Sequence, residues 1–322
     1  MKQKRSKTLV LTCRGSSPPP CEMVDILKEK GVRSFVSLRL PCVGRVSPEF
    51  FLRTLAQGTK KIVVMGCEEG FCRFKKGSEI NANRLMLTQA LLSQLGFKKD
   101  TVSFLKNSNK AVYDTQKCVG CDKCTFICPY EAIEAQPLAT PQINQEKCVG
   151  CGACAIVCPH LAIQLKTFEY EPVSKLVLDC GARANKLKSN GVKPVVLVFC
   201  CQWSEFSALD TVNPSSLPEN VMLLEIPCFK GLDPVHVVEA FYAGFDGVLA
   251  VTCAEEDCKL EEGKEIAELN AAVLKKTLNK LHLGDRFEVC TASPRYVGDF
   301  NSKLENFLKR VSSSLTAKER EQ

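Results

Sequence analysis

Short apolar runs alternate along this chain with longer stretches in which apolar residues return every three or four positions, the pattern of strands and helices taken in turn. Near the start, residues 8–12 form one such run, 22–30 read as a helix stopped at Gly31, and 34–40 form a second strand. Pro48 opens a helix to Gln57 that ends at Gly58, and a strand follows at 61–65. A long helix spans 78–95 with Gly96 at its C-terminal cap, and 101–105 is a last strand. The far end repeats the scheme, with strands at 195–199, 221–226, 247–252 and 287–291 and helices at 234–243 and 263–282. Strands spaced by helices predict a parallel, doubly wound α/β sheet in each arm.

Between the arms the periodicity gives way to cysteine. Cys118, Cys121, Cys124 and Cys128-Pro129 are followed by Cys148, Cys151, Cys154 and Cys158-Pro159, the same spacing displaced by 30 residues. Both runs open Lys-Cys-Val-Gly-Cys, from Lys117 and Lys147, and both continue into Ala-Ile, at Ala132-Ile133 and Ala162-Ile163. A [4Fe-4S] cube needs four thiolates; a tight C-x2-C-x2-C loop supplies three, and the distant cysteine of each run serves the other cluster. One predicted site is therefore Cys118, Cys121, Cys124 and Cys158, and the other Cys148, Cys151, Cys154 and Cys128. Zinc in ribbon-type sites would use two C-x2-C pairs and leave the third close cysteine and the Cys-Pro unexplained. The middle segment reads as a small α+β ferredoxin-type 2[4Fe-4S] domain.

Composition bears on the compartment. Twenty cysteines in 322 residues would suggest disulfides in a small secreted chain, but residues 1–7 are basic and the apolar run 9–11 is too short for a signal peptide. A reducing cytoplasm is expected, with cysteines as metal ligands. The longest apolar stretch, 195–201, falls far short of the roughly 18 residues of a membrane span. The formal charge of +7 points less to nucleic acid than to counter-charge. Each oxidised cluster with its thiolates carries about −2, so four clusters would bring the chain to about −1.

The arms share more than their periodicity. Pro41-Cys42, Pro48, Cys67 and Cys72 recur as Pro227-Cys228, Pro234, Cys253 and Cys258, each displaced by 186 residues, and Cys13 has its counterpart in Cys201. The arms read as copies of one domain. Cys13, Cys42 and Cys67, like Cys201, Cys228 and Cys253, each follow an apolar strand, and the carboxyl ends of such strands are where open α/β sheets bind ligands. Cys72 and Cys258 follow in the same loops. Four convergent thiolates suffice for a [2Fe-2S] cluster and equally for zinc.

These residues resemble the delta subunit family of methyl-viologen-reducing hydrogenases, whose pattern joins C-x-W-C after the first strand, Cys-x-Gly-Arg before a Pro-led helix, and a Gly-Cys…Cys pair. Cys42-Val43-Gly44-Arg45 with Pro48, and Gly66-Cys67 with Cys72, match in the first arm; Cys201-Gln202-Trp203, Cys228, Pro234, Cys253 and Cys258 match in the second. The chain departs from the pattern at Ser16 and Ser204, where a cysteine would stand, and at Lys230-Gly231, in place of Gly-Arg. The resemblance implies one or two [2Fe-2S] clusters beside the two [4Fe-4S] clusters. It also implies a relay role in an anaerobic oxidoreductase. The implied partners are a flavin-bearing, heterodisulfide-reductase-like subunit together with a hydrogenase, formate dehydrogenase, ferredoxin or benzoyl-CoA reductase module, with electron bifurcation in the assembly.

The expected organisation is an α/β domain at 1–110, the ferredoxin domain at 111–170, a linker at 171–193, a second α/β domain at 194–311 and a disordered polar tail at 312–322. Cys21, Cys180, Cys200 and Cys290 are left over as small apolar residues, with Cys200 able to stand in as a ligand beside Cys201. His160 is a candidate for tuning its cluster or a solvent-facing turn residue. His236 and His282 read as packing or surface residues, and Trp203 as shield, docking or core residue. Glu68-Glu69 and Glu255-Glu256 should face solvent, and with Lys75-Lys76 could form docking faces. No G-x-G-x-x-G follows a strand, and no P-loop or nucleophile elbow is present, so the chain reads as a non-catalytic relay. Two rival readings remain: a zinc-stabilised scaffold in which only the ferredoxin conducts, and a reductase whose arm thiols cycle as a disulfide, against which the absence of C-x-x-C in the arms counts.

Overall fold

The computed structural model describes residues 8–13, 20–40, 42–67, 72, 76–107, 110–136, 139–166, 168–201, 217–258, 263–293, 296 and 298–321. Ser16, Glu68, Glu69, Lys75, Trp203, Ser204 and the side chain of Cys21 lie outside the described residues. The chain separates into two compact units, 1–109 and 110–322.

The first unit runs β1 (Thr8–Cys13), α1 (Pro20–Glu29), β2 (Val36–Leu40), α2 (Pro48–Ala56), β3 (Lys61–Cys67), α3 (Gly77–Gln94) and β4 (Val102–Asn107). The four strands are parallel in the order β2-β1-β3-β4. β1 and β3 are nearly continuous apolar runs because helices cover both faces. Leu11, Ile62 and Val64 pack under α2 and α3, while Val10, Val63 and Met65 pack under α1. α2 starts where it does because Pro48 pre-sets the first turn and the Ser47 hydroxyl accepts the Phe50 amide at 3.3 Å. Ser47→Ala is expected to cost about 1 kcal/mol, read as a lowered guanidinium midpoint with an unchanged slope.

The second unit opens with the small module: β5 (Ala111–Tyr113), α4 (Lys123–Ile127), β6 (Ile133–Glu134), β7 (Gln142–Ile143), α5 (Ala153–Val157) and β8 (Ile163–Leu165). β5 pairs antiparallel with β8, and β6 with β7, so the two cysteine runs are laced into one body. It continues through α6 (Tyr170–Ser189), β9 (Val196–Cys201), β10 (Val221–Ile226), α7 (Pro234–Tyr242), β11 (Gly247–Cys253), α8 (Gly263–Lys280), β12 (Phe287–Ala292) and α9 (Asp299–Glu321). This sheet is again parallel, in the order β10-β9-β11-β12, the arrangement of the first arm. Phe199 and Phe287 are fully buried on one face, and Phe300 and Phe307 on the other; each such ring contributes about 1.5–3 kcal/mol.

Two expectations are overturned. The stretch 171–193 is not a linker: most of it is α6, whose Val177 and Ala184 are buried in the core beneath the second sheet. α6 is also pinned at its end, where Lys188 Nζ donates to Asp246 Oδ1 at 2.8 Å while Asp246 Oδ2 accepts the Val195 amide at 2.8 Å. The tail at 312–322 is not disordered as far as residue 321, since α9 continues through it and Val311 and Leu315 pack on the sheet. Among the described residues, no helix is long and apolar enough to cross a membrane.

Candidate iron-sulfur centres

In the first arm the cysteines gather where the strand order reverses. Cys13 ends β1 and Cys67 ends β3, the two central strands, and their sulfurs stand 3.1 Å apart. Cys42 follows β2 and caps the 3-10 turn Val43–Arg45, where the Gly44 amide donates to its sulfur at 3.4 Å. α3 holds that turn in place: Asn81 Nδ2 donates to the Val43 carbonyl at 2.8 Å, and Arg84 Nη1 to the Gly44 carbonyl at 2.6 Å. Position 44 must be glycine, because a Cβ there would stand 2.6 Å from the Gly77 carbonyl oxygen. Cys72 completes the group by hydrogen bonds to the thiols of Cys42 and Cys67.

All four of these cysteines are buried. The thiol of Cys67 is pushed far up, first by its hydrogen bond with Cys13, then by Cys72 and burial; that of Cys42 is pushed up by Cys72 and burial. Crowded thiols that oppose one another's ionisation become thiolates together only when a cation sits among them, which is the chemistry of a metal centre.

The second arm repeats the set. Cys201 ends β9, Cys253 ends β11, and both pack with Cys258, which follows the 3-10 turn Glu255–Asp257. Cys228 caps the turn Phe229–Gly231 in the same extended conformation as Cys42 but without the side-chain hydrogen bond that Cys42 accepts there, and the nearby Lys230 amide favours its thiolate. Burial drives the Cys228 thiol up to about 12, and Cys253 rises to about 12 chiefly through its hydrogen bond with Cys201. Cys200 is not a stand-in ligand: strand alternation turns it to the opposite face, into the layer of Val196, Val198 and Leu304. Glu255 and Glu256 are exposed, as like charge beside thiolates requires.

In the small module Cys118, Cys121, Cys124 and Cys158 line one cavity of about 320 Å³, counting its open mouth. Cys158 comes from the other run. Asp122, left-handed at φ 54°, turns the chain into α4 so that Cys124 faces inward. The Tyr113 hydroxyl lies 2.9 Å from Cys124 Sγ, and the Ala162 amide donates to Cys158 Sγ at 3.2 Å. On the other side, Cys128, Cys148 and Cys151 are electrostatic neighbours of Cys154, whose thiol burial pushes up. There Ala132 donates to Cys128 at 3.4 Å and Ala111 to Cys148 at 3.5 Å. The repeated Ala-Ile pair thus supplies the same amide to a cysteine in each half. His160 is exposed at the mouth of the first cavity.

The residues present fit iron-sulfur clusters: cysteines in groups of four, backbone amides aimed at sulfur, and, around Cys118, one cavity lined by all four cysteines of a crossed set. Sequence reasoning misses Asn81, Arg84, Tyr113 and the side chain of Lys230. None of these carries a motif, and each acts through a contact made by the fold.

Comparison with known proteins agrees with the geometry. Residues 8–120 and 196–313 match the family model of the methyl-viologen-reducing hydrogenase delta subunit, and residues 111–165 match a 4Fe-4S dicluster domain. The chain is similar to a subunit of the ferredoxin:CoB-CoM heterodisulfide reductase of Methanosarcina mazei, at 31% identity over 201 residues. That match takes in 62% of this chain and only 24% of the relative. It is similar as well to the vhu iron-sulfur subunit of the F420-non-reducing hydrogenase of Methanocaldococcus jannaschii, 29% identical over 121 residues, which is 37% of this chain and 90% of that protein. The iron-sulfur subunit of the F420-non-reducing hydrogenase of Archaeoglobus profundus is 30% identical over 92 residues, 29% of this chain and 67% of that protein.

Proposed function

The chain belongs to the methyl-viologen-reducing hydrogenase delta subunit family, and from that membership we propose a specific form of relay: two [4Fe-4S] clusters in the central module and a [2Fe-2S] cluster in each flanking α/β domain. The coarser role, an iron-sulfur electron-transfer subunit related to heterodisulfide reductase and hydrogenase iron-sulfur subunits, follows from the family and dicluster matches. The observation that carries the finer reading is the gathering of Cys13, Cys42, Cys67 and Cys72, and of Cys201, Cys228, Cys253 and Cys258, at the carboxyl edges of two parallel sheets.

The proposed ligands are these eight cysteines and the crossed sets Cys118, Cys121, Cys124, Cys158 and Cys128, Cys148, Cys151, Cys154. When bound, the clusters supply reversible one-electron capacity. The chain's own part is to hold sulfur, to aim amides at it and to exclude water. Gly44, Ala111, Ala132 and Ala162 direct N–H groups at cysteines, which favours the more negative, reduced state. Cys121 is exposed and Val119 near it is 62% exposed, so within the small module the Cys118 site is the one more open to an external carrier. The partners we propose are a flavin-bearing, heterodisulfide-reductase-like subunit together with a hydrogenase, formate dehydrogenase, ferredoxin or benzoyl-CoA reductase module, in a bifurcating assembly of an anaerobic cytoplasm.

Iron, acid-labile sulfide and zinc counted on anaerobically purified protein test the cofactor reading. About twelve irons per chain and no zinc, with a [2Fe-2S] EPR signal beside [4Fe-4S] signals, are expected. About eight irons with about two zinc ions would make both arms structural and end it.

A further inference from the structure

The second unit brings two of its cysteine groups into direct contact. Cys151, from the small module, and Cys228, from the second arm, share one buried cluster with Ala153, flanked by Ile127, Tyr130, Val149 and Cys258. The approach is backbone against backbone: a Cβ on Gly152 would stand 2.7 Å from Gly231 Cα, and one on Gly231 would stand 3.0 Å from the Cys151 carbonyl oxygen. Lys230 lies at this junction. Its side chain is completely buried, which for an ammonium carries a heavy desolvation cost unless negative charge is near.

Lys230 stands where the two groups meet. Its backbone lies in the turn that Cys228 caps, two residues beyond that cysteine. Its ammonium sits 5.9 Å from the centre of the Tyr130 ring, two residues beyond Cys128, and acts electrostatically on Cys151. In the first arm the residue at the same register is Gly44, where the Gly77 backbone leaves no room for a Cβ. The departure from Gly-Arg to Lys-Gly at 230–231 therefore does two things at once. It moves the glycine to where the arm meets the small module, and it places a positive charge beside Cys151, the cysteine that packs with Cys228.

We propose that Lys230 is a buried counter-charge shared by the Cys128/Cys148/Cys151/Cys154 site and the second-arm site, and that it raises the reduction potential of the clusters they hold. The proposal rests on the cluster assignment made under Proposed function. On reduction one electron passes to the site from the donor, which is dithionite in a titration; no bond to the protein breaks and no proton moves. The added negative charge lies in a low-dielectric junction facing a fixed ammonium, so the reduced state is stabilised more than the oxidised one. The residues lining the Cys118 cavity all belong to the small module, with Lys230 not among them, and that site should be insensitive to the change.

The experiment is an EPR-monitored redox titration of anaerobic holoprotein, comparing Lys230→Met and Lys230→Arg with the parent chain, with iron and zinc counted on each sample. In Lys230→Met one [4Fe-4S] couple and the [2Fe-2S] couple of the second arm should become harder to reduce, by about tenfold or more in the reduction equilibrium, which is about 59 mV for one electron. The other [4Fe-4S] couple should stay in place, and Lys230→Arg should restore the parent values. Placed in a Cys118→Ala background the [4Fe-4S] shift should persist, and in Cys128→Ala it should vanish. If Lys230→Met loads no iron, Lys230→Gln takes its place; loss of iron in both while Lys230→Arg loads normally would mark Lys230 as structural and overturn the proposal. Unmoved midpoints, or equal shifts in both [4Fe-4S] couples, would overturn it too. Eight irons with zinc would end the four-cluster reading, yet the [4Fe-4S] shift alone would still decide the role of Lys230.

Discussion

Cys158→Ala is expected to destroy the cluster of the cysteine run in which it does not lie. Cys158 closes the cavity formed by Cys118, Cys121 and Cys124, and its sulfur is fixed there by the Ala162 amide. The three cysteines nearest to it in sequence belong to the other group, completed by Cys128. Removing one of four thiolates leaves a cube with an open corner, and the loss is about four irons per chain, or a three-iron remnant in its place. The decisive measurement is non-additivity in iron, sulfide and EPR. Cys118→Ala with Cys158→Ala should do no more damage than either alone, while Cys128→Ala with Cys158→Ala should empty both sites. Additive loss in the first pair would sink the crossed assignment.

Gly152→Val carries the next largest effect, because two penalties fall on one atom. Gly152 has φ +86°, a region that costs a side-chain-bearing residue about 1–2 kcal/mol. Its Cβ would also be driven into Gly231 at 2.7 Å, backbone that has no flexible end to yield; overpacking of that kind costs about 1–3 kcal/mol more. The sum is about 2–5 kcal/mol. Gly191→Val, at φ +82° with nothing within 4 Å, carries only the first penalty and serves as the control in the same unit. Guanidinium midpoints of the anaerobic holoproteins give the difference, and equal losses in the two variants would mean that the small module does not press on the arm at Gly152.

Much of this architecture is legible in the sequence because its signals are local. Apolar runs in a parallel sheet are continuous, so β1, β3, β9 and β11 stand out, and cysteines placed just after them arrive at one edge by topology alone. The helices α6 and α9 are harder to read. Val173, Val177, Gly181 and Ala184 keep helical spacing along α6, but two of the four are small, and a stripe of small residues is quiet against many lysines. In α9, Phe300, Leu304, Phe307 and Val311 form a clear stripe, and the polar residues beyond it hide that the helix runs on. The junction at Gly152, Lys230 and Gly231 is visible in the sequence only as a departure from a pattern. Its meaning depends on two glycines far apart in sequence meeting in space, which no periodicity encodes.

The two halves of the small module differ in their cover. On the outer side Cys121 is exposed, Cys118 and Cys158 are half-buried and Cys124 is buried, whereas on the inner side Cys128 is half-buried and Cys148, Cys151 and Cys154 are buried, partly by the second arm. Oxidants act on sulfur according to its access. In a chain caught by air the outer half would decay first and the inner half, roofed by its neighbour, would outlast it, so that the contact which joins the module to the arm also decides which part of the wire corrodes last.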